Sequence, residues 1–135
     1  MNSKKYIPSF GFFILLSTII STVGFFYWVE NAVFNAFGME DKAHVYYSEK
    51  KYSKAYENFL ESAELSENSN DKSRRYRCAA NAAHAQNKID KALDMLGKSL
   101  KYNKNNENAI ALLKAMENAK QISKEDIKSI GADYK

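Results

Sequence analysis

Helix breakers are scarce in this sequence. Its 135 residues include one proline, Pro8, and five glycines, so the whole chain after position 8 is free of proline. The alternation of apolar and polar residues that marks a half-buried strand is also lacking. From Glu40 onward the helix formers Ala, Glu, Lys and Leu dominate. The sequence therefore predicts an all-α fold.

Residues with catalytic or metal-binding chemistry are equally few. The single cysteine, Cys78, excludes an intramolecular disulfide, and its small neighbours in RRYRCAANAAHA indicate a packed thiol. The two histidines, His44 and His84, do not have the spacing of metal ligands, either to each other or to Cys78. No Gly-rich phosphate loop, nucleophile elbow or HExxH motif occurs. We therefore predict that the chain is not an enzyme and has no catalytic residue, metal site or cofactor.

Charge of one sign is nowhere concentrated over a long stretch. The net charge of +4 arises from interspersed acidic and basic residues. The run from Lys72 to Arg77 is the local exception, and a solvated helix start accounts for it. Nucleic-acid binders gather their cations on one face. The sequence therefore predicts no nucleic-acid partner, and a nucleic-acid role that depends on this run alone is the weakest alternative.

One long uncharged run lies near the N-terminus. Residues 8–29 carry no charge, and 22 helical residues at ~1.5 Å rise span roughly 33 Å, enough for a bilayer core. Two lysines precede this predicted transmembrane helix and acidic residues follow it, so residues 1–7 are expected in the cytoplasm and the domain outside it. Residues 30–39 form a juxtamembrane segment. The alternative is a signal peptide cleaved after Gly24, but the run exceeds the usual ~7 to 15 residues of a signal core.

Two stretches repeat one amphipathic plan. In KKYSKAYENFLESAEL, residues 50–65, small and aromatic residues recur every three or four positions, and NKIDKALDMLGKSLKY, residues 87–102, repeats that pattern. Asp71 and Ser123 are predicted N-caps, and Asp126 follows Ser123 at the spacing of a capping box. The predicted breaks between helices fall at 49–51, 66–71, 86–88, 103–106 and 122–124.

This plan resembles the tetratricopeptide (TPR) repeat, a helix-turn-helix unit of about 34 residues. The resemblance covers roughly residues 36–120 and implies a short solenoid of helical hairpins. Its repeats would span about 40–66 and 71–103, followed by a cap helix at 106–120 and a short C-terminal helix and tail at 121–135. The residues that it assigns to packing between helices are Ala43, Tyr46, Tyr52, Ala55, Phe59, Tyr76, Ala80, Ile89, Ala92 and Leu96.

The resemblance also implies a partner-binding face, because TPR proteins present the first helix of each hairpin to their partners. Arg77 and Asn81 resemble part of the carboxylate clamp of chaperone-binding TPR domains, although Leu112 stands where another polar member is expected. The residues assigned to this face are Phe37, Glu40, His44 and Tyr47 from the first hairpin and Arg74, Arg77, Asn81 and His84 from the second.

Together these features predict a single-pass membrane-anchored TPR adaptor that binds protein partners as an accessory or assembly subunit of a membrane complex. The charge bias favours a bacterial inner membrane protein with its domain in the periplasm. One alternative is a secreted or periplasmic soluble TPR module released by cleavage. Another is a mitochondrial import-type receptor whose domain faces the cytosol.

Overall fold

A computed structural model describes residues 22–27, 35 and 37–132. The chain divides into two compact units, residues 1–32 and residues 33–135. In the first unit, residues 22–27 are helical and their side chains are exposed.

The predicted membrane segment falls mostly outside the described residues. Of residues 8–29 only 22–27 are described, and residues 1–7 are not described at all. The described part of the chain contains no helix with the length and apolar character needed to cross a membrane.

The second unit is built from consecutive helices. Residues 37–48 are helical and are called α1. They are followed by α2 (Tyr52–Leu65), α3 (Ser69–His84), α4 (Ile89–Tyr102), α5 (Glu107–Asn118) and α6 (Lys124–Ser129). Residues 37–132 contain no strand, and the predicted all-α fold is confirmed for the residues that the structure describes.

The same backbone turn ends α1, α3 and α5. Lys50, Asn87 and Lys120 adopt the left-handed conformation, with φ of 59°, 57° and 55°. At each of them the next amide donates to a carbonyl five residues back, from Lys51 to Tyr46 and from Lys88 to Ala83 in the first two turns. This hydrogen-bond pattern is the Schellman motif of helix C-termini. The turns from α1 to α2 and from α3 to α4 thus have the same geometry, and the C-terminus of α5 has it as well.

The core lies on both sides of α3, which packs against α2 and α4. Alanine fills these seams: Ala79, Ala80, Ala82 and Ala83 of α3 are fully buried, as is Ala92 of α4. Because alanine has no atoms beyond Cβ, the helix backbones approach closely. Other buried core residues include Ala43, Ala55, Phe59, Tyr76, Leu96, Leu113 and Met116.

Polar groups cross the seam between α3 and α4. The Ser73 hydroxyl donates to the carbonyl of Ser99 at 2.8 Å, and the Ser99 hydroxyl donates to the carbonyl of Ser73 at the same distance. The Asn106 side chain reaches both hydroxyls, at 2.9 and 3.1 Å, and its oxygen caps α5 by accepting from Ala109. Both serines are fully buried, so this network satisfies polar groups that would otherwise destabilise the core.

The structure confirms one of the two predicted N-caps. Ser123 and Asp126 form the predicted capping box at the start of α6. The prediction for Asp71 is wrong: the N-cap of α3 is Asn68, whose side chain accepts from the amides of Asn70 and Asp71. Because Asn68 supplies the cap, Asp71 lies in the first turn, where its carboxylate is 3.4 Å from Arg74.

Candidate partner-binding face

Four polar residues form a stripe along α3. Arg74, Arg77, Asn81 and His84 are spaced by three or four positions, which places them on one face of the helix. All four are half-buried. The structure brings residues of α1 to one end of this stripe and a residue of the α5–α6 turn to the other. We call the stripe and its α1 neighbours the α3 face.

Glu40 of α1 lies at the Arg74 end of the stripe, where its carboxylate binds two arginines. Its carboxylate is bidentate to the Arg74 guanidinium, with Oε1 on Nη1 and Oε2 3.0 Å from Nη2. Oε2 also accepts from Nε of Arg75 at 2.9 Å. Glu40 is 5% exposed, so the sequence expectation of an open position on the face is wrong. Its carboxylate instead joins α1 to α3 by a buried ion pair.

Arg75 is the most deeply buried charge of this cluster. It is 1% exposed. Its Nη1 donates to the carbonyl of Ser62 at 3.1 Å, and the guanidinium lies over the Phe37 ring, 5.0 Å from the centroid. Burial lowers the pKa of the Arg75 guanidinium, and neighbouring Asp71 opposes that shift. Contacts with Glu40, Ser62 and Phe37 therefore stabilise the buried positive charge of Arg75.

Three predicted residues of the face, His44, Tyr47 and His84, make contacts within the chain. The His44 ring packs edge-to-face on Phe59 with centroids 4.9 Å apart, while its side chain stays 57% exposed. Tyr47 packs edge-to-face on Tyr52, with centroids 5.2 Å apart. Nε2 of His84 hydrogen-bonds Oε1 of Gln121 at 2.8 Å. His44 is therefore the most open of these three side chains.

Arg77 differs from the other two arginines. Within the described residues, its buried Nε has no hydrogen-bond partner, and no carboxylate lies within ion-pair distance of its guanidinium. A buried N–H without an acceptor is unusual, because most such groups find one in the folded protein. Asn81, one turn further along α3, is also half-buried on this face. The α3 face thus presents one uncompensated guanidinium beside an amide.

The remaining chemistry near the face is unreactive. Cys78 is 5% exposed, and burial raises the pKa of its thiol although three arginines act in the opposite direction. The reactive species of cysteine is the thiolate, so this thiol is suited to packing. Among the described residues, no three His, Cys, Asp or Glu side chains are grouped as metal ligands.

The residues assigned to packing between helices lie at or beside the core. Ala43, Ala55, Phe59, Tyr76, Ala80, Ala92 and Leu96 are buried, whereas Tyr46, Tyr52 and Ile89 are half-buried.

Sequence reasoning missed the role of Arg75. One signal was its separation from Glu40, 35 residues, which is close to the repeat length and places the two residues in neighbouring hairpins. Comparisons of the chain with protein-family models, curated proteins and solved structures gave no match.

Proposed function

We propose that this protein is a membrane-anchored TPR-like adaptor that binds an acidic segment of a partner protein on the α3 face. Arg77 is the docking cation in this proposal, and Asn81 is the neighbouring hydrogen-bonding group. The observation that carries the proposal is the half-buried Arg77 guanidinium, which has no carboxylate partner among the described residues.

Repetition within the fold supports the TPR-like assignment. Left-handed residues recur at positions 50, 87 and 120, and each ends a helix by the same hydrogen-bond pattern. The fully buried alanines of α2 and α4, Ala55 and Ala92, are 37 residues apart, the same spacing as Lys50 and Asn87. Repeat proteins show this kind of periodic equivalence, because each unit buries its apolar face against the next.

The membrane anchor is proposed from residues 8–29, whose 22 uncharged positions are enough to cross a bilayer core at ~1.5 Å rise per residue. In the described part of this segment, Val23 is 62% exposed and Phe26 is 67% exposed. Apolar side chains with this exposure are favourable in lipid and unfavourable in water. With the two lysines before the segment, the charge rule orients the domain away from the cytoplasm.

The charges around α3 favour a carboxylate as the group that is bound. Glu40 and Asp71 compensate Arg74 and Arg75, and Arg77 is left with an unmatched positive charge. A guanidinium can form two parallel hydrogen bonds with a carboxylate. An acidic side chain or a chain terminus of the partner therefore fits Arg77 better than a neutral group.

Affinity purification with Arg77→Glu tests this proposal. The tagged full chain is isolated in mild detergent beside the variant, and co-purifying proteins are identified by mass spectrometry. Exposed Lys42 on α1 offers a matched control, since Lys42→Glu makes the same change in charge away from the face. We expect a partner that is retained by the wild type and by Lys42→Glu and lost with Arg77→Glu. Equal recovery with Arg77→Glu would contradict the α3 face as the binding site.

The same preparation tests the anchor. An intact mass that includes Lys4 and Lys5 is expected for an uncleaved anchor, whereas loss of the first 24 residues would identify a cleaved signal peptide.

A further inference from the structure

A second surface, separate from the α3 face, lies between α4, α5 and α6. It is a groove of about 620 Å³. Its apolar lining comes from Leu100 of α4, Ile110 of α5, and Ile130 and Ala132 at the end of α6. Ile110 and Ile130 are half-buried, so part of their apolar surface is open to the groove.

The helix that follows α5 is short. Helices α2 and α4, which follow the first two repeated turns, have 14 residues each, whereas α6 has six. At ~1.5 Å rise per residue, α6 is roughly 12 Å shorter than its counterparts. The surface that a full-length second helix would cover beside α5 therefore remains partly open.

Gly97 fixes the end of α6 against α4. A Cβ added at Gly97 would lie 3.0 Å from Cβ of Ile130, closer than such contacts normally allow. The absence of a side chain at position 97 thus permits the contact between α4 and Ile130. Gly97 and Ile130 both line the groove.

The groove is bordered by an excess of positive charge. Lys98, Lys101 and Lys104 line it, with Asp94 as the one carboxylate among its lining residues in the described chain. Asp94 is 3.7 Å from Lys98, so it compensates at most one of the three ammonium groups. Lys98 and Lys101 are three positions apart on α4, and Lys104 follows in the next turn of the chain.

We infer that this groove binds an acidic amphipathic helix of a partner protein. We choose a helix as the occupant because α1 and α3 are each followed by a helix of 14 residues, whereas α5 is followed by one of only six. Its apolar side would contact Leu100, Ile110 and Ile130, while its carboxylates would face the lysines, which are spaced by about one helical turn. The surface does not include Arg77, so this inference stands or falls independently of the proposed α3 face.

Methyl NMR of the full chain tests the inference. The protein is labelled at isoleucine δ1 methyl groups and reconstituted in nanodiscs of zwitterionic phosphatidylcholine. The probe is a synthetic amphipathic peptide of about 14 residues, the length of α2 and α4, with leucine on one side and glutamate on the other. Ile110 and Ile130 report on the groove, and Ile89 on α4 serves as an internal reference.

We expect the acidic peptide to shift Ile110 and Ile130 selectively and to bind more weakly as salt is raised. Lys101→Glu/Lys104→Glu should weaken this binding by about tenfold or more, because both ammonium groups then repel the peptide. Lys42→Glu/Lys88→Glu is the matched control, since both lysines are exposed and lie outside the groove. Arg77→Glu should leave the shifts unchanged.

Several results would overturn the inference. The first is an equal response to a peptide with lysine in place of glutamate, or no response of Ile110 and Ile130 to either peptide. The second is displacement of the acidic peptide by decanoate at equal concentration, which would make the groove a site for small anionic amphiphiles. The third is a concentration-dependent shift of both methyl groups without peptide, which would identify a second copy of this chain as the occupant.

Discussion

Glu40 should be the most sensitive charged position of the domain. Glu40→Ala removes the carboxylate that accepts from both Arg74 and Arg75, and Arg75, at 1% exposure, cannot regain water without unfolding. Removing one member of a buried ion pair costs about 3–5 kcal/mol, because the other charge stays buried and uncompensated. Domains of about 100 residues have a total free energy of unfolding of ~5–15 kcal/mol. The substitution therefore removes a large part of the stability.

Thermal unfolding of the full chain, followed by far-UV circular dichroism, measures this loss. A cost of about 3 kcal/mol corresponds to a decrease in Tm of roughly 12–24 °C for a domain of this size. The exposed Glu61 of α2 is the control, because Glu61→Ala removes the same type of side chain where it is solvated. That variant should remain within about 0.5 kcal/mol of the wild type.

A double variant separates the buried charge from a simple loss of packing. In Glu40→Ala/Arg75→Met no unpaired charge is left in the interior, so part of the stability lost in Glu40→Ala should return. A Glu40→Ala protein that melts within about 4 °C of the wild type would refute the reasoning. So would a double variant whose losses simply add, because the two residues would then be energetically independent.

Two further changes test the core around α3. Ala92→Asp puts an unpaired charge in the fully buried seam between α4 and α3 and should unfold the domain. Ala111→Asp, on the exposed side of α5, is the control and should leave thermal melting unchanged. Equal melting of the two variants would contradict the repeat assignment. Alkylation of Cys78 near neutral pH should be at least about tenfold slower in the folded chain than in denaturant, because the thiol is buried and its pKa is raised, and equal rates would contradict its packed position.

The sequence contains strong information on the helices and their seams. Small residues at three- and four-residue spacing predict close helix approach, and Ala55 and Ala92 are indeed fully buried. The predicted breaks at 49–51 and 103–106 coincide with non-helical residues, since polar and left-handed residues cluster there. These features are local, so they can be recognised from neighbouring residues alone.

The ion pair and the serine network could not be predicted in this way. Glu40 and Arg75 look like ordinary surface residues in the sequence, and only the packing of α1 on α3 removes both from water. Ser73 and Ser99 fit the small positions of a seam, but their reciprocal hydrogen bonds require two helices in a particular register. In both cases the partners are 26 or more residues apart and the interaction exists only after the hairpins stack.

Glu40 also links the stability of the domain to the proposed binding of a carboxylate. With Glu40 in place, Arg74 and Arg75 are compensated and Arg77 alone has an unmatched charge. Glu40→Gln keeps the shape of the side chain but removes its charge, so the α3 face gains positive charge while the domain loses stability. An acidic partner should then bind more tightly to a protein that melts at a lower temperature. If the partner did not bind the α3 face, binding would instead stay unchanged or weaken together with the fold.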